Sequence, residues 1–366
     1  MVNSLLFLCM LIIPTLFAWI IHNYLRHGDL SDKRKLFFIA VYFFLMNGVL
    51  YIVSWFRGVK KLDPSNMTIS FRAKWIGLGI VLGFIVPFIV CLLTEDQITL
   101  GGLKRYIRRF VNDIHKYTPY AIRSAQADLQ SEVSSSYLNW MWWLIEPLCM
   151  MFIYAIMFGF VFRISENYFT AFIYLGLTMW GFFSRNVIAS VGIVRANKGI
   201  INKIYMPKYV LLLSKMCVNT FKMLISFGVA ALLMIYYHVP LSVNILWFVP
   251  IIVVLFLITF GIGTIIMHYG VFVRDLGYII GIVLQMFMYM TGTFYNISKR
   301  IPAPFGEVLE KYNPIAFLIA SMRNILLYEK GIDIQLLLFW TGISIILIAL
   351  GVFTVYSNEN GYVKAI

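Results

Sequence analysis

The feature that most constrains the fold is the apolar stretch from Tyr137 to Phe162, YLNWMWWLIEPLCMMFIYAIMFGFVF. It is long enough to cross a bilayer, because a helix rises about 1.5 Å per residue and about 20 apolar residues span the hydrocarbon core. Trp140, Trp142 and Trp143 near its start suit the boundary with the lipid headgroups. Comparable apolar segments lie on both sides of it, so the sequence predicts an all-α integral membrane protein.

The composition agrees with that prediction. The chain is 61% hydrophobic and 13% charged, whereas soluble domains are about 45–50% apolar and about 25% charged. A large aqueous domain is therefore excluded. The net charge is +14, but the basic residues are scattered between apolar segments, which argues against nucleic-acid binding and favours cytoplasmic loops near membrane lipid. The histidines and cysteines show no spacing typical of metal ligands, so we expect no metal or cofactor in this chain.

The first hundred residues form a predicted N-terminal membrane module, residues 1–100. Its predicted spans are about Leu5–Ile21, Leu36–Phe56 and Trp75–Leu93. The first span has basic residues only on its C-terminal side, which places the N-terminus outside. The loop 57–74 then also lies outside although it is basic, so its orientation is left open.

Residues 101–136 contain no span and form a predicted interface segment. Basic residues alternate there with apolar positions at helical spacing, which predicts an amphipathic helix on the cytoplasmic leaflet. Its apolar positions are Leu103, Tyr106, Ile107, Phe110 and Ile114. A second, more polar piece is predicted from Pro119 to Ser136.

Residues 137–366 form the predicted core. About six spans are expected, which makes about nine in total: Tyr137–Phe162, Tyr168–Val194, Val210–Tyr237, Asn244–Met267, Gly277–Tyr295 and Ile334–Tyr356. The proline-rich stretch from Asn296 to Asp333 predicts two short re-entrant helices on the outside, where Asn313–Pro314 begins the second. The tail after Tyr356 is predicted to be cytoplasmic.

Ionisable side chains inside the predicted spans are costly and therefore informative. Glu146 and Arg185 lie in the cytoplasmic halves of the first two core spans, and Lys222 lies in the third. We expect Glu146 to pair with Arg185 or with Lys222, or these charges to line a substrate path. For Lys222, extension of its ammonium to the headgroups remains the simpler alternative.

The segment between the second and third core spans, RANKGIINKIYMPK, carries four basic residues and no acid. We call Arg195–Lys208 the basic link. It contains no phosphate loop, and the whole chain lacks GxxxxGK[ST], so ATP must be held elsewhere if it is used. The bases either mark the cytoplasmic side or dock a partner subunit. The residues assigned to docking are Arg195, Lys198, Ile201, Lys203, Ile204, Tyr205 and Pro207.

Four stretches in a fixed order resemble a known family. They are SSSYLNWMWWLIEPLCMMFIYAIMFGFVF, RANKGIINKIYMPKYVLLLSK, FVRDLGYIIGIVLQMFMYMTGTFYNISKRIP and EKYNPIAFLIASMRNILL. Over about residues 124–366 the chain is similar to the permease subunit of type-2 ABC exporters, which move O-antigen, capsule or wall teichoic acid. The first hundred residues have no counterpart in that pattern.

This resemblance implies a homodimer in the plasma membrane, a separate ATPase subunit that holds ATP and magnesium, and a lipid-pyrophosphate-linked glycan as substrate. Arg274 and Asp275 match an RD pair of the family, and they serve either as a helix cap or as a hinge at the inner mouth. Sugars stack on aromatic faces, so the candidates for the path are Trp143, Tyr154, Phe158, Phe287, Tyr289, Phe294 and Tyr295. Plain helix packing is the alternative for each of them.

Two functions from different classes fit these residues. The first is a permease of a polysaccharide or teichoic-acid exporter, without enzymatic activity of its own. The second is an integral-membrane glycosyl- or phosphoglycosyl-transferase acting on lipid-linked sugars. Such enzymes normally need acids or bases in a sizeable aqueous loop, and the sequence offers no suitable loop.

Overall fold

The structure, a computed structural model, describes residues 12, 15, 16, 18, 19, 39–43, 47, 100–134, 139–163, 166–240, 242–273, 275–302, 305–359, 361 and 362. Every regular element in these ranges is helical, which confirms the all-α prediction. Of the predicted N-terminal module, the few described residues between 12 and 47 are helical. The third predicted span, Trp75–Leu93, lies outside the described residues.

The chain divides into two units, one made of Met1–Ile107 with Pro302–Val308 and the other of Arg108–Ile301 with Leu309–Ile366. The helices, in chain order, are α1 (Leu100–Ser134), α2 (Trp142–Ala155), α3 (Phe169–Ala196), α4 (Lys198–Ile201), α5 (Tyr209–Tyr236), α6 (Phe248–Phe272), α7 (Leu276–Met290), α8 (Ile297–Arg300), α9 (Phe305–Tyr312), α10 (Pro314–Leu327) and α11 (Ile334–Ser357). A π-helical turn, Ile156–Val161, extends α2, and a 3-10 turn, Val243–Trp247, precedes α6. Five helical segments of the described part are long and apolar enough to cross a membrane: Trp142–Val161, Phe169–Ala196, Tyr209–Tyr236, Val243–Phe272 and Ile334–Ser357.

The interface helix α1 is continuous, so the predicted break at Pro119 is wrong. Proline lacks an N–H group and therefore removes one hydrogen bond from the ladder. The turn before it is reinforced by the Thr118 hydroxyl, which donates to the carbonyl of Ile114 at 2.6 Å. Ala121 and Ala125, one turn apart, are buried on one face of the helix after Pro119.

Helix α7 is shorter than its predicted span, Gly277–Tyr295. It has 15 residues, or about 22 Å at 1.5 Å per residue, which is less than the roughly 30 Å of hydrocarbon. The helix ends because Gly292 takes a φ of +64°, the left-handed conformation that commonly follows a helix C-terminus. The hydroxyl of Thr291 then donates to the carbonyl of Met288 at 2.9 Å.

The predicted pair of short helices after α7 is present as α9 and α10, with the short α8 before them. Asn313 caps α10, since its side-chain oxygen accepts from the N–H groups of Ile315 and Ala316 at 3.1 and 3.3 Å. Pro314 occupies the first turn, where its missing N–H costs nothing. The sequence-based prediction of this helix start is confirmed.

Helix α3 is the centre of the bundle in the second unit, and α2, α5, α6, α7 and α10 pack against it. Two ends of this bundle can be distinguished by their contacts. At the first, which we call the tail end, Arg195 contacts the end of α6 and Arg109 contacts Glu359 of the tail. At the opposite end, which we call the cavity end, Asn244 donates to the carbonyl of Glu329 at 2.9 Å.

Candidate functional site

At the tail end, a network centred on Arg109 of α1 joins separate parts of the chain. Its guanidinium donates to the hydroxyl of Tyr205 in the basic link and to the carboxylate of Glu359 at 3.0 Å. It also lies over the ring of Tyr356, 4.2 Å from the centroid, and the Tyr356 hydroxyl donates to Asp113 at 2.7 Å. Since the partners come from α1, the basic link, α11 and the tail, the network joins these four parts of the chain.

The two ends of the basic link are turned into the protein. Arg195 donates to the carbonyls of Gly270 and Val273 at 3.1 and 3.0 Å, and Pro207 is buried. Lys208 is only 3% exposed, and burial lowers the pKa of its ammonium group, while the charge of Glu359 opposes that shift. These residues anchor the link within the chain.

The middle of the link faces outward, with one exception. Ile204 and Tyr205 are 60% and 56% exposed, whereas Ile201 is 8% exposed. The expectation that all three apolar side chains face a partner is therefore wrong for Ile201, whose burial follows from its place in the short helix α4. Lys198 and Lys203 are exposed and add positive charge to the outward surface.

Lys222 has a different partner from the predicted one. Its ammonium pairs with the carboxylate of Glu132 near the end of α1, and Lys215 lies 3.7 Å from the same carboxylate. Burial opposes ionisation of Glu132, but the hydrogen bond and charge of Lys222, with the charge of Lys215, prevail and lower its pKa. Trp143 lies above Lys222 with the ammonium 5.5 Å from the ring centroid, and it packs edge-on against Phe221 at 6.0 Å.

Glu146 and Arg185 do not form the predicted pair. Both are exposed on the chain, and no opposite charge lies within 4 Å of either among the described residues. The guanidinium of Arg185 reaches back over Gly181, where an added Cβ would lie 3.3 Å from Nη2. Arg185 therefore has no carboxylate partner within the described chain, and the glycine one turn earlier lets its side chain lie along the helix surface.

The aromatic residues predicted for the path largely come together. Phe294 is fully buried and stacks on Phe158, with the ring centroids 4.7 Å apart. The ring centroid of Tyr154 lies 4.3 Å from that of Phe294. Tyr289 is 6.0 Å from Phe294, and the hydroxyl of Tyr295 donates to the Tyr289 carbonyl at 2.7 Å. We call these five residues the aromatic cluster; it joins α2 to the end of α7.

The remaining predicted residues lie apart from the cluster. Phe287 is 40% exposed on α7. Asp275 precedes α7, but its side chain makes no capping hydrogen bond, so the alternative of a side-chain cap is wrong. Its backbone carbonyl accepts a hydrogen bond from the N–H group of Tyr278 at 3.1 Å. Arg274 lies outside the described residues.

Arg323 of α10 is a buried charge that our sequence reasoning missed. Its guanidinium donates to the carbonyls of Phe172, Gly292 and Thr293 at 2.6–3.1 Å and lies 3.4 Å from the centroid of the Phe172 ring. Gly176 makes room for it, since an added Cβ would lie 2.5 Å from Nη2. A lone arginine in an apolar segment is the signal that could have identified it.

A cavity of about 570 Å³ opens beside Arg323 at the cavity end. Its walls come from the turn before α3, the link before α6, the residues from Thr291 to Lys299, and α10 with the residues that follow it. Glu166 and Lys299 form an ion pair of 2.6 Å at its edge. Burial raises the pKa of Glu310, while Ser298 and the charge of Lys311 oppose that shift.

Comparisons with known proteins place these features in a family. The family model described as ABC-2 type transporter matches residues 123–327. Two O-antigen export system permease proteins RfbA from Klebsiella pneumoniae are 28% and 29% identical over 228 and 230 residues, which is 62% of this chain and 87% of each relative. The permease protein of the same name from Myxococcus xanthus is 22% identical over 240 residues, or 66% of this chain and 92% of the relative. Because the family match covers more than half of the 366 residues, the chain belongs to the ABC-2 type transporter family.

Proposed function

We propose that this chain is the membrane permease of an ABC exporter that moves a lipid-pyrophosphate-linked cell-surface polysaccharide or teichoic acid across the plasma membrane. The observation that carries the proposal is the family match, together with relatives named as O-antigen export permeases. The permease works as a homodimer with a separate ATPase subunit, and that subunit holds ATP and magnesium. The tail end, with its basic link, faces the cytoplasm, and the N-terminus lies outside.

The outward part of the basic link is the proposed ATPase contact. Ile204 and Tyr205 present apolar surface next to the exposed lysines Lys198 and Lys203, and acids on the partner would complement those charges. The Arg109 network ties the link to α1 and to the tail, and Arg195 ties it to α6. Through these contacts a push on the link would reach α1, the tail and α6.

The substrate path combines the aromatic cluster with charges near α2. Within the cluster, Tyr289 is 48% exposed and offers a ring face on which a sugar unit stacks, while the lysines that hold Glu132 offer charge for a phosphate. Trp143 beside Lys222 connects these two environments along α2. Glu146 and Arg185 are exposed on the single chain, where a second copy or the substrate would meet them.

Deletion of the chain from its source organism tests the function. We expect surface polysaccharide to be lost and lipid-linked glycan to accumulate on the cytoplasmic side, measured by cell-wall sugar analysis and mass spectrometry. Reintroduction of the full chain should restore export. Normal surface polysaccharide in the deletion strain would show that the exporter assignment is wrong.

The coupling surface is tested with Ile204→Ser. We expect less ATPase subunit to co-purify with the full chain, because an apolar contact is lost while the positive charge near the membrane remains. The matched control is Ile235→Ser, since Ile235 is 71% exposed at the opposite end of α5. Equal co-purification in both variants would place the contact elsewhere.

The orientation is tested by cysteine accessibility in intact cells. Cysteine introduced at Asn202 should be protected from an impermeant reagent, and cysteine introduced at Asn167 should react. Both positions are exposed on the chain, so burial does not explain protection. The reverse pattern would place the basic link outside and exclude it as an ATPase contact.

A further inference from the structure

The cavity at the cavity end is lined mainly by groups that exchange hydrogen bonds with hydroxyls. Asn167, Asn324 and Tyr295 are among its lining residues. Within the described part of the chain, the side-chain amides of the two asparagines have no hydrogen-bond partner. Each amide offers two donors and one acceptor. A volume of about 570 Å³ falls in the range of about 300–1,000 Å³ that is typical of small-ligand sites.

The charges that line the cavity balance one another. The acids are Glu166, Glu310 and Glu329, and the bases are Lys299, Lys330 and Arg323. Two of the bases are already engaged, since Lys299 pairs with Glu166 at 2.6 Å and Arg323 is held by backbone carbonyls. A site for a strongly charged ligand would carry an excess of one sign. The balance favours an uncharged, polar ligand.

The backbone at the edge of the cavity is held in an unusual conformation. Tyr168 and Glu329 both line it, and they have φ values of 57° and 53°. Residues other than glycine adopt this left-handed region at an energetic cost, and such strain is concentrated at functional sites. Tyr168 is fixed in place by its ring contact with Tyr237 at 6.0 Å. The arrangement holds an aromatic side chain at the cavity wall instead of leaving it free.

We propose that this cavity binds a short, uncharged saccharide segment of the exported polymer. Tyrosine rings stack on the faces of sugar rings. Amides and carboxylates beside them exchange hydrogen bonds with the sugar hydroxyls. The proposal rests on the proposed function, because only an exporter of a glycan would meet such a ligand here. On the predicted topology the cavity lies outside, so it acts after translocation. It borders the aromatic cluster, with which it shares Tyr295.

The test measures binding of maltotriose, mannotriose and triacetylchitotriose to the purified full chain by saturation-transfer NMR titration, with glycerol 3-phosphate as the charged comparator. At least one trisaccharide should bind. Ala320→Phe, which fills the cavity, should abolish that binding. Asn324→Ala should weaken it about five- to tenfold, the effect of one lost hydrogen bond. Lys311→Gln, an exposed change outside the cavity lining, should bind as the wild type does.

Several outcomes would overturn the proposal: no trisaccharide binds, binding survives Ala320→Phe, or glycerol 3-phosphate binds in preference. Gel filtration of each variant checks folding, and Asn324→Ala remains informative if Ala320→Phe does not fold. Failure here is distinguishable from failure of the exporter assignment. Loss of surface polysaccharide in the deletion strain with no saccharide binding removes only the cavity proposal, whereas unchanged polysaccharide removes the assignment itself.

Discussion

Replacing Arg323 by alanine tests whether this side chain joins α3, α10 and the turn after α7 at the cavity end. The side chain is 4% exposed, and its guanidinium serves carbonyls from α3 and from the turn after α7. The planar fork reaches all of them at once, which an ammonium group does not do. Arg323→Ala therefore removes every one of these bonds, and Arg323→Lys should recover only part of the stability.

The magnitude follows from the carbonyls left behind. Those of Gly292 and Thr293 lie in a buried turn and lose their donor. Each buried, unsatisfied polar group costs about 1–3 kcal/mol, so the two together cost about 2–6 kcal/mol. Relief from burying a charge offsets part of that sum. At about 2–4 °C for each kcal/mol in a unit of this size, we expect the Tm to fall by about 5–20 °C.

The assay is thermal unfolding of the full chain in detergent, followed by fluorescence-detected gel filtration. The matched control is Arg300→Ala, because Arg300 is an exposed arginine close in space and sequence to the same turn. That change should alter the stability by less than about 0.5 kcal/mol. Equal Tm values for the two variants would refute the argument that Arg323 holds the turn.

Three further predictions concern stability. Glu132→Gln should lower the Tm at pH 7 by breaking the pair with Lys222. Because the Glu132 pKa is lowered in the folded chain, the difference from wild type should be complete above the unfolded-state pKa of about 4.3 and should be lost as the pH falls through the lower folded-state pKa. Gly270→Ala should prevent stable folding, since an added Cβ meets a backbone carbonyl of α3, whereas Gly281→Ala, in open space, should be neutral or stabilising in the same assay. Tyr356→Phe removes two hydrogen bonds at the tail end and should cost about 1–3 kcal/mol in denaturant unfolding.

Long apolar runs between polar clusters made most of the core helices predictable. The predicted span Tyr168–Val194 is observed as Phe169–Ala196, and the predicted span Val210–Tyr237 is observed as Tyr209–Tyr236. Both helices have 28 residues, or about 42 Å at 1.5 Å per residue, which exceeds the roughly 30 Å of hydrocarbon. The length of helix α7 was predicted incorrectly because the helix ends at the left-handed conformation of Gly292. A hydropathy pattern carries no information about that backbone conformation.

Charged contacts were harder to predict than helices because their partners are far apart in sequence. Lys222 pairs with Glu132, which belongs to the polar piece predicted from Pro119 to Ser136 and is 90 residues away in sequence. Arg185 was expected to find a carboxylate, yet it lies along its own helix. By contrast, the aromatic cluster was partly foreseeable, since Tyr154, Phe158 and Phe294 lie in motifs that carried the family resemblance.

Two arginines bind the backbone carbonyls that flank the short helix α7, and neither of these contacts involves a carboxylate. Arg195 of α3 donates to Val273, just before α7, and Arg323 of α10 donates to Gly292, just after it. The carbonyls at a helix C-terminus lack partners within the helix and carry partial negative charge, so a guanidinium satisfies both their hydrogen bonds and their dipole. The carbonyls on the two sides of α7 are therefore satisfied by side chains of other helices, α3 and α10.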